Sequence, residues 1–135
     1  MDIFNENKVF TENEILNVPS TTLAFVGDAY FTYVSRLFVL NGNFKSGQLH
    51  KQATQFVKAE AQSGFLKKLL PLLTENEIAV AKRARNTHTQ SKSKNASLSD
   101  YKKATAFEAL LGYLILTGQK QRVDELLKIV FTKGE

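Results

Sequence analysis

Apolar residues recur three and four positions apart along nearly the whole chain, and that spacing confines it to helices. Leu23, Val26, Tyr30, Tyr33, Val34 and Leu37 follow one helix that begins after Pro19 and Ser20. It is expected to close at Asn41-Gly42, residues that tolerate a left-handed cap. A second helix is expected from near Ser46 through Leu49, Ala53, Phe56 and Val57 to about Ser63-Gly64, and a short one over 65–70, stopping near Pro71. Thr74-Glu75-Asn76-Glu77 reads as a capping box ahead of Ile78 and Ala81. Ser99 or Asp100 is expected to cap the next helix, which runs to Thr117-Gly118. Val123, Leu126, Leu127 and Val130 share one face of the last. Strand patterns are scarce, and seven glycines with two prolines in 135 residues leave few turns. The expectation is an all-α fold in a single domain over 1–135, long enough to bury its own core.

Several chemistries drop out. The chain has no cysteine, which removes disulfides, thiolate metal sites and a cysteine nucleophile. Its two histidines, His50 and His88, are too few for a zinc site of three or four ligands. Uncharged runs such as 15–27 fall well short of the roughly 20 apolar residues of a membrane span. The first residues, Met1-Asp2-Ile3-Phe4-Asn5-Glu6, are acidic and lack the basic start of a signal peptide. A cytoplasmic protein without membrane contact is expected.

Charge is concentrated. Residues 82–103 carry seven basic side chains (Lys82, Arg83, Arg85, Lys92, Lys94, Lys102 and Lys103) against one acid, Asp100. This exceeds the net charge of +5 of the whole chain, so the remainder is close to neutral. Inside it, 86–97 contains no apolar residue except Ala96 and cannot pack into a core. A basic, exposed loop at about 85–99 suits a polyanionic partner, nucleic acid first, although a solvated lysine-rich loop would read the same way.

Acids are placed oddly. Asp28 is the one acid between Glu14 and Glu60, and Glu108 the one between Asp100 and Asp124. Each stands in the most apolar helix of its half, beside a small residue suited to close packing, Gly27 or nearby Gly112. Glu108 lies on the stripe Tyr101, Ala104, Glu108, Leu111 and Ile115, where an apolar side chain is expected. No basic residue stands one turn from Asp28. A buried carboxylate must be paired, reach water or bind a metal. Distant structural ion pairs, helix-edge exposure and convergence on one divalent cation all remain open from the residues alone. Two carboxylates, waters and phosphate oxygens are how magnesium is usually held. With the basic loop added, that third arrangement is the layout of a metal-dependent nuclease.

At these residues the sequence resembles a known family. Leu23-Ala24-Phe25-Val26-Gly27-Asp28-Ala29 is similar to the signature helix of the ribonuclease III endonuclease domain. Phe107-Glu108-Ala109-Leu110-Leu111-Gly112-Tyr113-Leu114 is similar to its second catalytic motif. Lys82-Arg83-Ala84-Arg85-Asn86, Lys94-Asn95, Tyr101 and the run 105–110 follow in the order of the mini-III ribonucleases, the bacterial branch without a separate double-stranded-RNA-binding domain. The resemblance covers roughly residues 15–130. Three positions depart from the pattern. Ala24 stands where the broad family has a glutamate, and Thr105 where it has an aspartate, though the mini-III branch shares Thr-Ala-Phe-Glu. Ala84 replaces a glycine.

The resemblance implies a ribonuclease III-like helical bundle acting as a homodimer. It implies magnesium-dependent cutting of double-stranded RNA, with manganese able to substitute, leaving a 5′ phosphate and a 3′ hydroxyl. Asp28 and Glu108 would be the catalytic metal ligands. Lys82, Arg83, Arg85, Lys92 and Lys94 would meet phosphates, and Asn86, Thr87, Thr89 and Asn95 would add polar contacts. His88 would lie at the RNA, and His50 would be structural or exposed. The branch points to the precursor of large-subunit ribosomal RNA as the substrate. Phe25, Tyr30, Phe31, Tyr33 and Phe38 make the signature helix apolar nearly all round, which suits a dimer face or a central buried helix. The competing function is a non-catalytic RNA-binding or ribosome-associated helical module, with a helical adaptor behind it.

Overall fold

The computed structural model describes residues 7–40, 45–87 and 97–132, and among these there are helices and no strand. In chain order they are α1 (Glu12–Ile15), α2 (Ser20–Phe38), α3 (Ser46–Val57), α4 (Ala59–Leu69), a single 3-10 turn (Leu70–Leu72), α5 (Glu75–Arg85), α6 (Leu98–Leu116) and α7 (Lys120–Phe131).

The central element is α6. Ala104, Ala106, Phe107, Ala109, Leu110, Leu111, Gly112, Tyr113 and Leu114 are all buried, so the helix is enclosed on nearly every side. It packs chiefly against α2, with α4, α5 and α7 around the rest. By contrast α2 buries Leu23, Ala24, Gly27, Phe31 and Ser35 on one face and leaves Phe25 78% exposed on another. The signature helix is therefore not the central buried one.

Two glycines set the distance between α2 and α6. A Cβ on Gly27 would lie 1.7 Å from the carbonyl oxygen of Glu108, and a Cβ on Gly112 would lie 1.9 Å from that of Leu23. Each helix thus accepts the backbone of the other, and no side chain fits between them. Phe31 then meets Phe107 edge-on, with ring centres 5.0 Å apart, and stacks on Phe131 at 5.7 Å.

Local signals account for most helix ends. Thr74 accepts from the Glu77 amide at 3.2 Å while the Glu77 carboxylate accepts from the Thr74 amide at 2.9 Å, the capping box expected for α5. Gly118, with φ of 74°, ends α6. Its amide reaches Ile115 at 3.1 Å and the Gln119 amide reaches Leu114 at 2.8 Å, a Schellman closure.

Four boundaries differ from the sequence expectation. The helix expected over 46–64 breaks at Lys58, whose extended ψ of 152° ends α3 and caps α4, so the short helix expected over 65–70 is the second half of α4. The break lets Phe56 from α3 and Phe65 from α4 lie against each other at 6.4 Å. Ser97, not Ser99 or Asp100, caps α6, accepting from the Asp100 amide at 3.0 Å. α2 ends at Phe38, short of Asn41-Gly42, which lie outside the described residues. Finally, α1 is an unexpected helical turn with its own capping box, Thr11 to Glu14.

A buried ion pair locks α7 to the start of α5. Glu77 is 2% exposed and receives Arg122 Nε at 2.8 Å and Nη2 at 2.9 Å. Burial pushes the Glu77 carboxyl up, but Arg122 and the Thr74 amide outweigh it and hold it below the usual range.

Candidate active site

The close crossing of α2 and α6 is what brings the two isolated acids together. Gly27 lies against the carbonyl of Glu108, and Asp28 follows it by one residue. The Asp28 and Glu108 carboxylates interact directly, although 80 positions separate them in sequence. Asp28 is exposed, and Glu108 is half-buried. The Glu108 carboxyl is pushed up to about 8, first by burial, then by its hydrogen bond and charge contact with Asp28. The nearby Gln62 carboxamide pulls the other way.

Two carboxylates forced together, one of them reluctant to ionise, form a site that a divalent cation would relieve. Among the described residues no group of three or more His, Cys, Asp or Glu side chains converges. The pair therefore fits a hard cation that keeps most of its ligands as water or phosphate oxygen, and it does not fit an all-protein cage. The departures at Ala24 and Thr105 are consistent with this. Ala24 is buried between helices. Thr105 turns its hydroxyl back to the Tyr101 carbonyl of its own helix, at 3.0 Å.

The basic end of α5 lies beside the first turns of α2 and α6. A small cleft of about 30 Å³ is lined there by Thr21, Ala84, Thr87, Tyr101, Lys102 and Thr105. Thr105 is one helical turn before Glu108, so the cleft adjoins the carboxylate pair. Lys82, Arg85 and Asn86 are exposed at that end, and Thr87 is half-buried, its hydroxyl donating to the Arg83 carbonyl at 2.9 Å.

Arg83 stands apart from the basic residues grouped with it in the sequence. Its guanidinium donates to Ser20 Oγ at 3.2 Å and to the Leu16 and Val18 carbonyls at 3.2 and 3.0 Å. It straps the link between α1 and α2 to α5, and these three bonds engage Nε and both terminal nitrogens. Lys92, Lys94, Asn95, Thr89 and His88 lie outside the described residues. His50 is exposed on α3.

Gln62 is the site residue that sequence reasoning passed over. A signal was present. Gln62, Phe65, Leu66 and Leu69 form one helical stripe, and a lone polar residue on an apolar stripe is the same anomaly that singled out Glu108.

Comparison with known proteins agrees with the geometry. Residues 21–119 match the model of the Ribonuclease III domain. The Mini-ribonuclease 3 of Clostridium tetani is 40% identical over 128 residues, covering 93% of this chain and 85% of that protein. The Mini-ribonuclease 3 of Brevibacillus brevis is 42% identical over 125 residues, covering 89% and 93%. A crystal structure of a protein from Fusobacterium nucleatum has a TM-score of 0.78 at 30% identity, covering 86% of this chain and 93% of that one. Two acid-bearing helices crossing at paired glycines, within a sequence that matches over this span, settle the relationship: the chain belongs to the ribonuclease III family of endoribonucleases, in its Mini-ribonuclease 3 branch.

Proposed function

We propose that the chain is a magnesium-dependent endoribonuclease that cuts double-stranded RNA, with manganese able to take the place of magnesium. The observation that carries this reading is the meeting of Asp28 and Glu108 at the α2–α6 crossing. The whole of 1–135 serves as one catalytic domain. Asp28 and Glu108 hold the ion. Bound there, it would lower the pKa of a water and offset charge on the phosphate in the transition state. Asp28, exposed to solvent, presents the site to the duplex, and Glu108 closes it from the protein side. Hydrolysis leaves a 5′ phosphate and a 3′ hydroxyl. Lys82, Arg85, Lys92 and Lys94 meet backbone phosphates, while Asn86, Thr87 and Asn95 reach ribose hydroxyls across the shallow groove of the duplex. Arg83 supports this surface by holding α5 in place. The branch points to the large-subunit ribosomal RNA precursor as the natural substrate, and to the cytoplasm as the place of work. No helix among the described residues is long and apolar enough to cross a membrane.

A duplex RNA of a few dozen base pairs, incubated with magnesium or with chelator, tests the reading. Cleavage is expected only with magnesium. Binding, measured in chelator, is expected to weaken at least about 100-fold between 50 and 200 mM salt, because several phosphates exchange counterions for lysine and arginine. Binding without cutting on both a generic duplex and a ribosomal precursor would move the protein to the class of RNA-binding modules.

Cutting both strands needs two sites, and a symmetric dimer supplies them. α2 offers the surface: Phe25, Tyr33, Leu37 and Phe38 are exposed on it. Leu37 and Phe38 also line a groove of about 630 Å³ between α2 and α7. Exposed aromatic side chains of this kind suit a protein interface. Light scattering at micromolar concentration is expected to give twice the mass of 15.2 kDa. A persistent monomer would contradict paired cleavage.

A further inference from the structure

Gln62 is a side chain that packing alone does not explain. It sits on the face of α4 turned toward the core, with Leu66 and Leu69 on the same stripe, and is 1% exposed. Burying a carboxamide with an unmet hydrogen bond is unfavourable, and leucine, of similar size, would avoid it. Its nitrogen donates to the Val57 carbonyl at 3.1 Å. That carbonyl can only accept, which assigns the nitrogen to this end of the carboxamide. The nitrogen carries a second hydrogen, and the carboxamide lies close enough to Glu108 to draw its carboxyl pKa downward. The remaining atom, Oε1, is buried with no protein partner. One amide thus holds the end of α3, at the Lys58 break, and keeps a buried, unanswered acceptor on a side chain that neighbours Glu108.

We infer that Gln62 is a positioning residue of the metal site, holding the Glu108 carboxylate in the orientation that binds the ion and offering Oε1 to one of the ion's waters. Magnesium keeps several waters when few carboxylates hold it, so a buried acceptor on a side chain that neighbours Glu108 has a defined use. Partners that orient a metal ligand typically change metal affinity 10- to 100-fold when removed. The inference rests on Asp28 and Glu108 being the ligands. The competing role is structural, in which Gln62 does no more than cap the last carbonyl of α3.

Metal-free protein without RNA, titrated with Mn²⁺ and followed by its melting temperature, separates these roles. Wild type, Gln62→Leu, Gln62→Met and Asp28→Asn are compared. Both apolar variants are expected to melt near wild type in chelator yet to need about ten times more Mn²⁺ for the same rise. Their cleavage of duplex RNA is expected to lose kcat, regained in part at high metal, with KM unchanged. A lower metal-free melting temperature with a wild-type Mn²⁺ requirement would overturn the inference in favour of capping. If the apolar variants do not fold, Gln62→Asn, which keeps the amide but shortens its reach, replaces them; a wild-type Mn²⁺ requirement there overturns the inference equally. A wild type that Mn²⁺ does not stabilise at all would instead sink the two-carboxylate reading.

Discussion

Glu108→Gln is expected to reduce cleavage at least about 1,000-fold and, in the metal-free protein at pH 8, to make the fold more stable. The first effect follows from removing one of two metal ligands, since the loss of about 4 kcal/mol of transition-state stabilisation is a factor of this size. The second follows from the Glu108 carboxyl, which sits at about 8 in the folded chain against 4.5 as its ordinary value. Between those values the native state holds more protons than the unfolded one, so stability falls as pH rises. The stabilisation from the bound proton is complete below about 4.5 and is lost as pH climbs through 8. Its size is on the order of 2–4 kcal/mol. Glutamine cannot ionise, so the variant has no such slope. Its metal-free melting temperature should exceed that of wild type by roughly 5–10 °C at pH 8 and by little near pH 4.5. Magnesium should narrow the gap by stabilising wild type alone. Melting curves from pH 4.5 to 8, with and without metal, check the sign. A variant that still cuts, or that loses stability at pH 8, would refute the assignment of Glu108.

Gly27→Ala is expected to cost more than about 4 kcal/mol, while Gly64→Ala is expected to be neutral or to gain up to about 1 kcal/mol. Both glycines lie inside helices, and alanine is the better helix former at each by propensity alone. The tertiary surroundings differ. A Cβ at Gly64 meets nothing within 4 Å. At Gly27 it would meet the Glu108 carbonyl oxygen at 1.7 Å, the carbonyl carbon at 2.7 Å and the Gly112 nitrogen at 2.9 Å. All three are backbone atoms and cannot turn aside, so α2 and α6 must separate and the core between them must open. Against a typical total stability of 5–15 kcal/mol, that is a large fraction. The separation also draws Asp28 away from Glu108, so any folded remnant should bind metal poorly. Urea unfolding of the two variants beside wild type measures the contrast. Equal stability of Gly27→Ala and Gly64→Ala would mean that the helices do not approach as described.

The pairing of Glu77 with Arg122 shows how much lay beyond the reach of sequence. Thr74-x-x-Glu77 is legible as a capping box because a cap is made within four residues. That the same carboxylate is also buried under an arginine 45 positions away is a fact of packing. Local rules of this kind gave the starts of α2 and α5, the apolar face of α7 and the stop at Gly118. The same four-residue signal stands at Thr11-x-x-Glu14 and accounts for α1. The break at Lys58 had no such signal, because no glycine or proline stands there and only packing separates α3 from α4.

The candidate site divides along the same line. By itself the sequence determined that Asp28 and Glu108 are anomalous, that each stands near a glycine suited to close packing, and that a basic stretch intervenes, because composition and periodicity are properties of neighbours along the chain. Only the tertiary structure decided that Gly27 and Gly112 lie at one crossing and so place the acids side by side. It also separated Arg83 from the basic residues around it and set Gln62 against Glu108. The physical reason is range: a cap or an apolar stripe is satisfied within one or two helical turns, whereas a buried polar group takes its partner from whichever helix the packed core lays against it.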